Sequence, residues 1–327
     1  MIGHLTILFL ASFGLTYIVR QLALKKNILD NPNERSSHTI PTPRGGGLAI
    51  VLTWFGGLTY LFLQNQIEAR LFFALLSGLV LAMVSLLDDV FDIKPGARIL
   101  AQAISALGSL YFLGGFQLVP NLHNPFVFWF LNFGVFIGII WFINLFNFLD
   151  GIDAYASQEA ILVSLGIFLI VGQPILWVLI ASVAGFLVWN WPKAKIFMGD
   201  VGSTQLGFIL VVLGIYYHNS SELNISNWLI LTSLFWFDAT FTLYRRWHNK
   251  EPLSVAHRKH GYQRLTRAGW SHLKVDLYAI VLNMLFIGFV LLNHYYLHQD
   301  ILALIVSIGI LFFVNWRVDK IFPFPRN

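Results

Sequence analysis

The sequence contains no cysteine and little charge: of its 327 residues, 57% are apolar and only 11% are charged. The lack of cysteine excludes a disulfide framework, a thiolate nucleophile and a cysteine-ligated metal. An ordinary soluble domain has about 25% charged residues, and 30 phenylalanines with 11 tryptophans are too many for one soluble core. A soluble globular enzyme, a disordered chain and a fibrous repeat are therefore excluded, which leaves a polytopic α-helical membrane protein.

Apolar windows of roughly the length that a membrane-crossing helix needs recur along the whole chain. Eleven are found: 1–19, 46–63, 71–87, 99–119, 125–143, 158–172, 175–191, 203–217, 227–244, 275–293 and 300–316. An odd number of spans places the two chain ends on opposite sides of the membrane. We expect an all-α polytopic protein, a single transmembrane helical domain over residues 1–327, with its N-terminus outside and its C-terminus cytoplasmic.

The positions of lysine and arginine support this topology. With the N-terminus outside, the inner segments are 20–45, 88–98, 144–157, 192–202, 245–274 and 317–327, and they hold 20 of the 21 Lys and Arg residues. Only Arg70 lies elsewhere. The positive-inside rule predicts such an excess of basic residues on the inner side. The net charge of +5 therefore reflects topology, and a nucleic-acid partner is not expected. The first five inner segments carry the unusual polar motifs, so we expect the catalytic loops there.

Acidic residues cluster at the inner end of the third window, in the run Asp88-Asp89-Val90-Phe91-Asp92. Positions 88 and 92 share a helix face, and the mutual repulsion of these carboxylates would be relieved by a divalent cation such as Mg²⁺. The alternative is that acids merely mark a helix end at the membrane surface. Acids at a helix C-terminus oppose the helix dipole, which favours the functional interpretation.

A polar ladder follows the fifth window, where Asn144, Asn147, Asp150 and Asp153 recur at every third position. Amides and carboxylates along one side of a helix end suit a polar pocket that opens to the cytoplasm. Helix caps are the alternative, but caps account for one or two of these residues rather than four.

Glycines accompany two further inner segments. Gly199 and Gly202 flank Asp200 at the start of the eighth window, where backbone N–H groups can approach a phosphate; Asp200 could instead be an N-cap. The loop that contains Arg44 ends in the triplet 45–47, which allows close backbone approach by a ligand or by a neighbouring helix.

The longest inner segment, 245–274, is rich in basic residues and is densest at His257-Arg258-Lys259-His260. Such a patch can bind a diphosphate, whereas the alternative is a positive-inside loop with incidental histidines. Asp238 lies inside the ninth window, where a buried acid needs a partner or serves the site directly.

Together these segments resemble the polyprenyl-phosphate N-acetylhexosamine-1-phosphate transferase family, glycosyl transferase family 4. The resemblance runs in order from about residue 30 to 275 and rests on 33–47, 88–89, 144–153, 197–203 and 257–269. The pattern from His257 to Gln263 is most similar to the branch that initiates O-antigen synthesis. The peptidoglycan branch has a triple histidine where Arg258 and Lys259 separate two histidines here.

The resemblance implies transfer of an N-acetylhexosamine 1-phosphate from a UDP-sugar of the GlcNAc, FucNAc or QuiNAc type to undecaprenyl phosphate, with release of UMP. It implies a Mg²⁺ requirement, with Mn²⁺ as an alternative, and a multi-pass protein of the bacterial inner membrane whose active site faces the cytoplasm. Both a monomer and a homodimer stay open. A secondary transporter or lipid flippase is the alternative function, because many spans with a few acids also fit one.

The site residues that the resemblance implies fall into three groups. The catalytic candidates are carboxylates: Asp88, Asp89, Asp150 and Asp153. The substrate-binding candidates are amide, basic or glycine residues: Asn144, Asn147, His257, Arg258, His260, Arg44 and Gly199. The metal candidates are Asp89 and Asp200. Asp88 and Asp89 would bind and activate the acceptor, and Asp200 would bind the metal. Asn147, Asp150 and Asp153 would position the nucleotide sugar and the metal. The basic loop, through His257, Arg258 and His260, would hold the diphosphate or the sugar.

Overall fold

The computed structural model describes residues 2–32, 40–91, 93–118, 124–253, 255 and 257–325. These residues are almost entirely helical, which confirms the all-α class. The helices are α1 Ile2–Lys25, α2 Gly47–Leu63, α3 Ala69–Leu76, α4 Gly78–Phe91, α5 Pro95–Leu113, α6 Pro125–Phe148, α7 Tyr155–Val171, α8 Pro174–Asn190, α9 Asp200–Asn219, α10 Ile225–Leu231, α11 Ser233–His248, α12 Gly261–Arg267, α13 His272–Leu292 and α14 Asp300–Ile321. A π-helical turn, Asn293–Leu297, extends α13. Two short antiparallel strands, β1 Leu29–Asp30 and β2 Thr42–Pro43, pair at the inner loop.

Within the described ranges, seven helical segments are long and apolar enough to cross a membrane. They are Ile2–Lys25, Ala69–Phe91, Pro95–Leu113, Pro125–Phe148, Asp200–Asn219, His272–Leu297 and Asp300–Ile321. The apolar helices α2, α7 and α8 are shorter. The protein is therefore a polytopic helical membrane protein, whereas the count of eleven spans and the side of each terminus stay predictions.

Two expected spans are divided in the structure. The window 71–87 falls on α3 and α4, which are separated at Ser77. The window 227–244 falls on α10 and α11, which are separated at Thr232. The Thr232 hydroxyl donates a hydrogen bond to the Trp228 carbonyl at 2.9 Å, and such a bond from side chain to backbone competes with the helical pattern.

The loops gather at two opposite ends of the bundle, as their alternation in the sequence predicts. At one end, called the site end, α4 and α6 finish and α7, α9 and α13 begin; α11 and α14 also finish there. At the far end, the Gln117 N–H donates to Asn219 at 3.0 Å, and Asn224 donates to Asp300 at 2.7 Å. All predicted site residues that are described lie at the site end or within two turns of it.

Helix α9 forms the centre of the bundle, with 89% of its span buried against α2, α4, α6 and their neighbours. The start of α2 lies directly against the start of α9, because a Cβ on Gly47 would collide with the backbone of Gly202. The Gly46 and Gly47 N–H groups donate to the carbonyls of Phe197 and Met198 at 2.9 and 2.8 Å. For Gly47, the close approach predicted from the glycine triplet is thus made by a neighbouring helix.

Candidate active site

The carboxylate of Asp89 is bound by the first turn of α9. It accepts hydrogen bonds from the backbone N–H groups of Asp200 at 3.0 Å and Val201 at 3.2 Å. Gly199 has φ +78°, and a Cβ there would come within 2.7 Å of an Asp89 oxygen. The free N–H groups and dipole of a helix N-terminus favour an anion. Asp89 itself therefore fills the place where the sequence suggested a phosphate, and substrate binding by Gly199 stays a prediction.

Asp88 and Asp200 share a cation that the sequence analysis did not single out. Arg98, in the first turn of α5, lies 2.8 Å from Asp88 Oδ1 and 3.6 Å from Asp200 Oδ2. Asp88 Oδ1 also accepts a hydrogen bond from the Ile93 N–H at 2.7 Å. Arg98 belongs to the predicted inner segment 88–98, but its approach to Asp200 depends on how α5 packs beside α4.

The two asparagines of the ladder join neighbouring helices. Asn144 and Gln102 of α5 exchange amide hydrogen bonds of 2.8 and 3.2 Å. One turn later, the Ser203 hydroxyl donates to Asn147 Oδ1 at 2.7 Å, and Ser203 follows Asp200 by one turn of α9. Asn147 thus lies beside the acidic cluster, whereas the Asn144 amide joins α6 to α5 in the described structure.

Asp150 lies in the turn after α6, among other carboxylates. Its carboxylate has no hydrogen bond or ion pair to any residue that the structure describes. Burial raises the pKa of the Asp150 carboxyl well above its usual range, and repulsion from Asp200, Asp89 and Asp153 raises it further. A group in these surroundings gains most from a bound cation.

The turn that carries Asp150 is fixed by α12. The Tyr262 hydroxyl donates to the Phe148 carbonyl at 3.1 Å and occupies the space that a side chain at Gly151 would need. The Tyr262 ring also stacks on Tyr155, with centroids 5.0 Å apart. Sequence reasoning missed Tyr262, because only the fold brings residue 262 to residue 151.

Asp153 lines a cavity whose wall combines polar and apolar side chains. Its Oδ2 accepts a hydrogen bond from the Ala194 N–H at 3.1 Å and lies 3.2 Å from His272 Nδ1. Asp153, His272, Lys193 and Phe197 are among the residues that line this cavity of about 440 Å³. An aromatic ring, an acid and a base around one cavity can bind a polar, planar ligand.

His257 and His260 lie side by side, with ring centroids 4.8 Å apart. Burial lowers the pKa of both imidazoles to about 3, and the positive charge of nearby Arg246 acts in the same direction. Both rings are therefore neutral near pH 7, so they can bind phosphate oxygens as hydrogen-bond donors rather than as cations. The buried Nδ1 of His260 has no hydrogen-bond partner in the described structure.

Asp238 supports this pair from below. Its two carboxylate oxygens accept hydrogen bonds from the Gly261 N–H at 2.9 and 3.0 Å, and one lies 4.0 Å from His260 Nδ1. Asp238 thus holds the first turn of α12. Its hydrogen-bond donors in the described structure are the Gly261 N–H and the Thr242 hydroxyl, the latter at 3.3 Å, rather than a lysine or arginine of another helix.

Two further basic candidates flank the cluster. Arg44 follows β2, is close enough to Asp89 to act on it electrostatically, and has a buried Nε with no hydrogen-bond partner within the described ranges. Arg258 acts electrostatically on Tyr262, which places it near α12. Asp92 and residues 33–39 of the predicted motifs lie outside the described residues.

The carboxylates of this cluster can hold a Mg²⁺ ion only together with further ligands. No three His, Asp or Glu side chains within the described ranges converge tightly enough to hold a metal alone. Mg²⁺ is usually bound by one or two carboxylates together with water and substrate phosphates. Asp89 accepts two backbone N–H groups and Asp88 lies 2.8 Å from Arg98, whereas Asp200 lies 3.6 Å from the same arginine and Asp150 has no such partner in the described structure. Asp150 and Asp200 are therefore the less firmly paired carboxylates. This set fits a Mg²⁺ ion that binds together with a phosphorylated substrate.

An apolar cavity of about 700 Å³ lies between α6, α9, α10 and α11. Leu145, which lies between the two ladder asparagines, lines one part of it, and Phe116 and Ile225 line its part near the far end. The Trp141 indole N–H donates to Thr240 at 3.2 Å and joins α6 to α11 within the wall. The cavity can therefore hold a long apolar chain whose polar end lies near the acidic cluster.

The segment that contributes these carboxylates matches a known family. The Glycosyl transferase family 4 sequence profile matches residues 71–218, which include the acidic pair, the ladder and Asp200. A Bacillus subtilis (strain 168) protein named "Probable undecaprenyl-phosphate N-acetylglucosaminyl 1-phosphate transferase" is 30% identical over 288 residues, 83% of this chain and 79% of the relative. The chain belongs to glycosyl transferase family 4.

Other members of glycosyl transferase family 4 are similar over comparable lengths. An undecaprenyl-phosphate alpha-N-acetylglucosaminyl 1-phosphate transferase of Yersinia pestis is 28% identical over 291 residues, 82% of this chain and 77% of its own length. A phospho-N-acetylmuramoyl-pentapeptide-transferase of Leuconostoc citreum is 28% identical over 280 residues, 72% of this chain and 80% of its own length. The family resemblance expected from the motifs is confirmed, and the chain is a transferase of this family.

Proposed function

We propose that the chain transfers an N-acetylhexosamine 1-phosphate from a UDP-sugar to undecaprenyl phosphate and releases UMP. The observation that carries the proposal is that the two ends of the segment 145–153, which contains Asp150, line two unlike cavities. Asp153 lines the cavity with the mixed polar and apolar wall, and Leu145 lines the apolar cavity. A nucleotide suits the first cavity and a polyprenyl chain suits the second. The names of the family members support both substrates.

In this proposal the chain binds two anionic reactants side by side. The donor uridine lies in the cavity with Phe197 and Asp153, and its diphosphate extends toward the neutral imidazoles of His257 and His260. The acceptor phosphate lies by Arg44 and Arg98, on the side of Asp88 and Asp89. These two carboxylates hold Arg98 and the start of α9 in place.

The proposed reaction is a single displacement at phosphorus. An oxygen of the acceptor phosphate forms a bond to the phosphorus that carries the sugar, and the bond from that phosphorus to the oxygen of UMP breaks. UMP leaves with the electron pair. We propose that Asp150 and Asp200 bind Mg²⁺, which neutralises the charge of the diphosphate. We favour direct attack; trapping of a phosphorylated enzyme with donor alone would contradict it.

The first test is release of UMP. Purified protein is incubated with UDP-GlcNAc, UDP-N-acetylfucosamine or UDP-N-acetylquinovosamine, and the lipid product is identified by mass. We expect UMP only when undecaprenyl phosphate and Mg²⁺ are both present, and EDTA should abolish release until Mg²⁺ is restored. The donor that reacts identifies the sugar and so tests the proposed role in starting O-antigen or a related surface glycan. Absence of UMP with every donor would reject the proposed donors and acceptor.

The second test concerns the side of the membrane. We propose eleven spans in the bacterial inner membrane, with the site end facing the cytoplasm, because nearly all basic residues lie in segments assigned to that end. The chain has no cysteine, so single cysteines can be introduced at exposed Lys94, at the site end, and exposed Ser221, at the far end. In intact spheroplasts a membrane-impermeant maleimide should label Ser221→Cys and spare Lys94→Cys. The reverse pattern would refute a cytoplasmic site.

A further inference from the structure

The last turns of the chain bind the segment that carries the two histidines. Arg264 of α12 is fully buried and donates to Asp319, to Asn315 at 3.3 Å and to the Phe322 carbonyl at 3.2 Å. Arg245 of α11 donates to the same Asp319 and Asn315 at 3.0 and 3.1 Å. One carboxylate and one amide of α14 therefore hold two arginines from two other helices.

The ring of Phe324 covers the same cations. Its centroid lies 4.0 Å from the Arg245 guanidinium, 5.5 Å from that of Arg264 and 5.7 Å from Lys259 Nζ. Cation–π contacts strengthen when they are removed from water, and Phe324 is itself buried. We call Asn315, Asp319, Phe322 and Phe324 the C-terminal clasp.

The C-terminal clasp acts on a helix that also touches the active site. Helix α12 has only seven residues, and Arg264 is two positions after Tyr262. On its other side, Tyr262 contacts Gly151 in the turn that carries Asp150, and His260 directly precedes the helix. A rigid helix of under two turns transmits a displacement at Arg264 to both groups.

We infer that the C-terminal clasp is a positioning element for the donor site. It fixes α12, and through α12 it sets the position of His260 and of the Asp150 turn. Loss of the counter-charge leaves Arg264 buried without a full partner, so α12 must shift or admit water. The clasp lies outside the family profile match at 71–218 and outside the motifs that define the resemblance. The expected effect of the clasp on donor kinetics rests on the proposed function, whereas its effect on the rigidity of α12 does not.

The test uses Asp319→Asn, with Asp300→Asn as a matched control. Asp300 begins the same helix at the far end and accepts hydrogen bonds of 2.7 Å from Asn224 and Asn293. We expect faster amide hydrogen exchange over residues 257–267 in Asp319→Asn alone. We also expect kcat/KM for the UDP-sugar to fall about 10- to 100-fold, because small displacements of reacting groups have effects of this size. The KM for the lipid acceptor should be unchanged, and Asp319→Glu should restore part of the loss.

A second variant covers the outcome in which Asp319→Asn does not fold. Phe324→Ala removes the ring over the three cations without removing a charge, and it should raise exchange over 257–267 in the same direction by a smaller amount. Exchange is measured without substrate, so it tests the clasp even if no UDP-sugar reacts. Normal exchange over 257–267 in Phe324→Ala and in folded Asp319→Asn would overturn the inference. The inference would also be overturned if an active Asp319→Asn enzyme showed faster exchange in α12 but an unchanged kcat/KM for the UDP-sugar.

Discussion

Replacing Asp150 by asparagine is expected to lower kcat by about 100- to 1,000-fold, the range seen when one group that stabilises transition-state charge is removed. The same substitution should leave the thermal unfolding temperature unchanged or raise it. Asp150 has no hydrogen-bond or ion-pair partner to lose within the described ranges. It is also repelled by Asp200, Asp89 and Asp153, and a neutral amide relieves that repulsion. A gain in stability with a loss of activity is the pattern expected of a functional carboxylate held in unfavourable surroundings.

Asp88→Asn is the matched contrast, because Asp88 differs from Asp150 mainly in having partners. Its carboxylate binds Arg98 and the Ile93 N–H, so the substitution should cost about 1.5–3 kcal/mol of stability. UMP release and thermal unfolding of both variants in one detergent provide the comparison. Wild-type kcat in Asp150→Asn would remove this residue from the proposed metal site. A lowered unfolding temperature would show that Asp150 has a structural partner after all.

The sequence predicted which end of the bundle carries the candidate site because the free-energy cost of burying charge in the bilayer restricts charged residues to the loops. Acids and bases are costly in the bilayer, so their positions mark the loops, and the loops at one end must meet in space. This is why Asp89, Asp150 and Asp200, which are far apart along the chain, could be assigned to one end. The positions of the helices could be predicted for a related reason, because an apolar run long enough to cross a membrane can adopt few other structures.

The roles within the cluster depended on packing that no local pattern contains. Acids at the end of α4 oppose its dipole, and this argument favoured a functional role for Asp89. The structure adds a partner 111 residues away, because the N-terminus of α9 stabilises the carboxylate that the C-terminus of α4 disfavours. The same limit applies to Asn144, whose amide partner Gln102 lies on another helix. Residue type and spacing indicate which chemical groups are present at the site, and only the contacts in the structure show what each group is bound to.

Gly199→Ala is expected to disrupt the acidic cluster without changing any polar group. The glycine has φ +78°, and a Cβ would come 2.7 and 2.9 Å from the two oxygens of Asp89. Alanine must therefore move the Asp89 carboxylate away from the α9 N–H groups, in addition to the backbone strain of about 1–3 kcal/mol. We expect kcat to fall about 10- to 100-fold, together with a lower unfolding temperature.

Gly172→Ala separates these two effects. Gly172 has φ +69° in the turn between α7 and α8 at the far end, and a Cβ there would meet nothing within 4 Å. This variant bears the cost of backbone strain alone, so its unfolding temperature should fall while kcat stays near the wild-type value. If Gly199→Ala retained full kcat at the same loss of stability as Gly172→Ala, catalysis would not require the Asp89 carboxylate at the start of α9. A loss of kcat in Gly199→Ala that Gly172→Ala does not show would instead tie turnover to the contact between α4 and α9, since both variants carry backbone strain at a positive φ and only Gly199→Ala collides with Asp89.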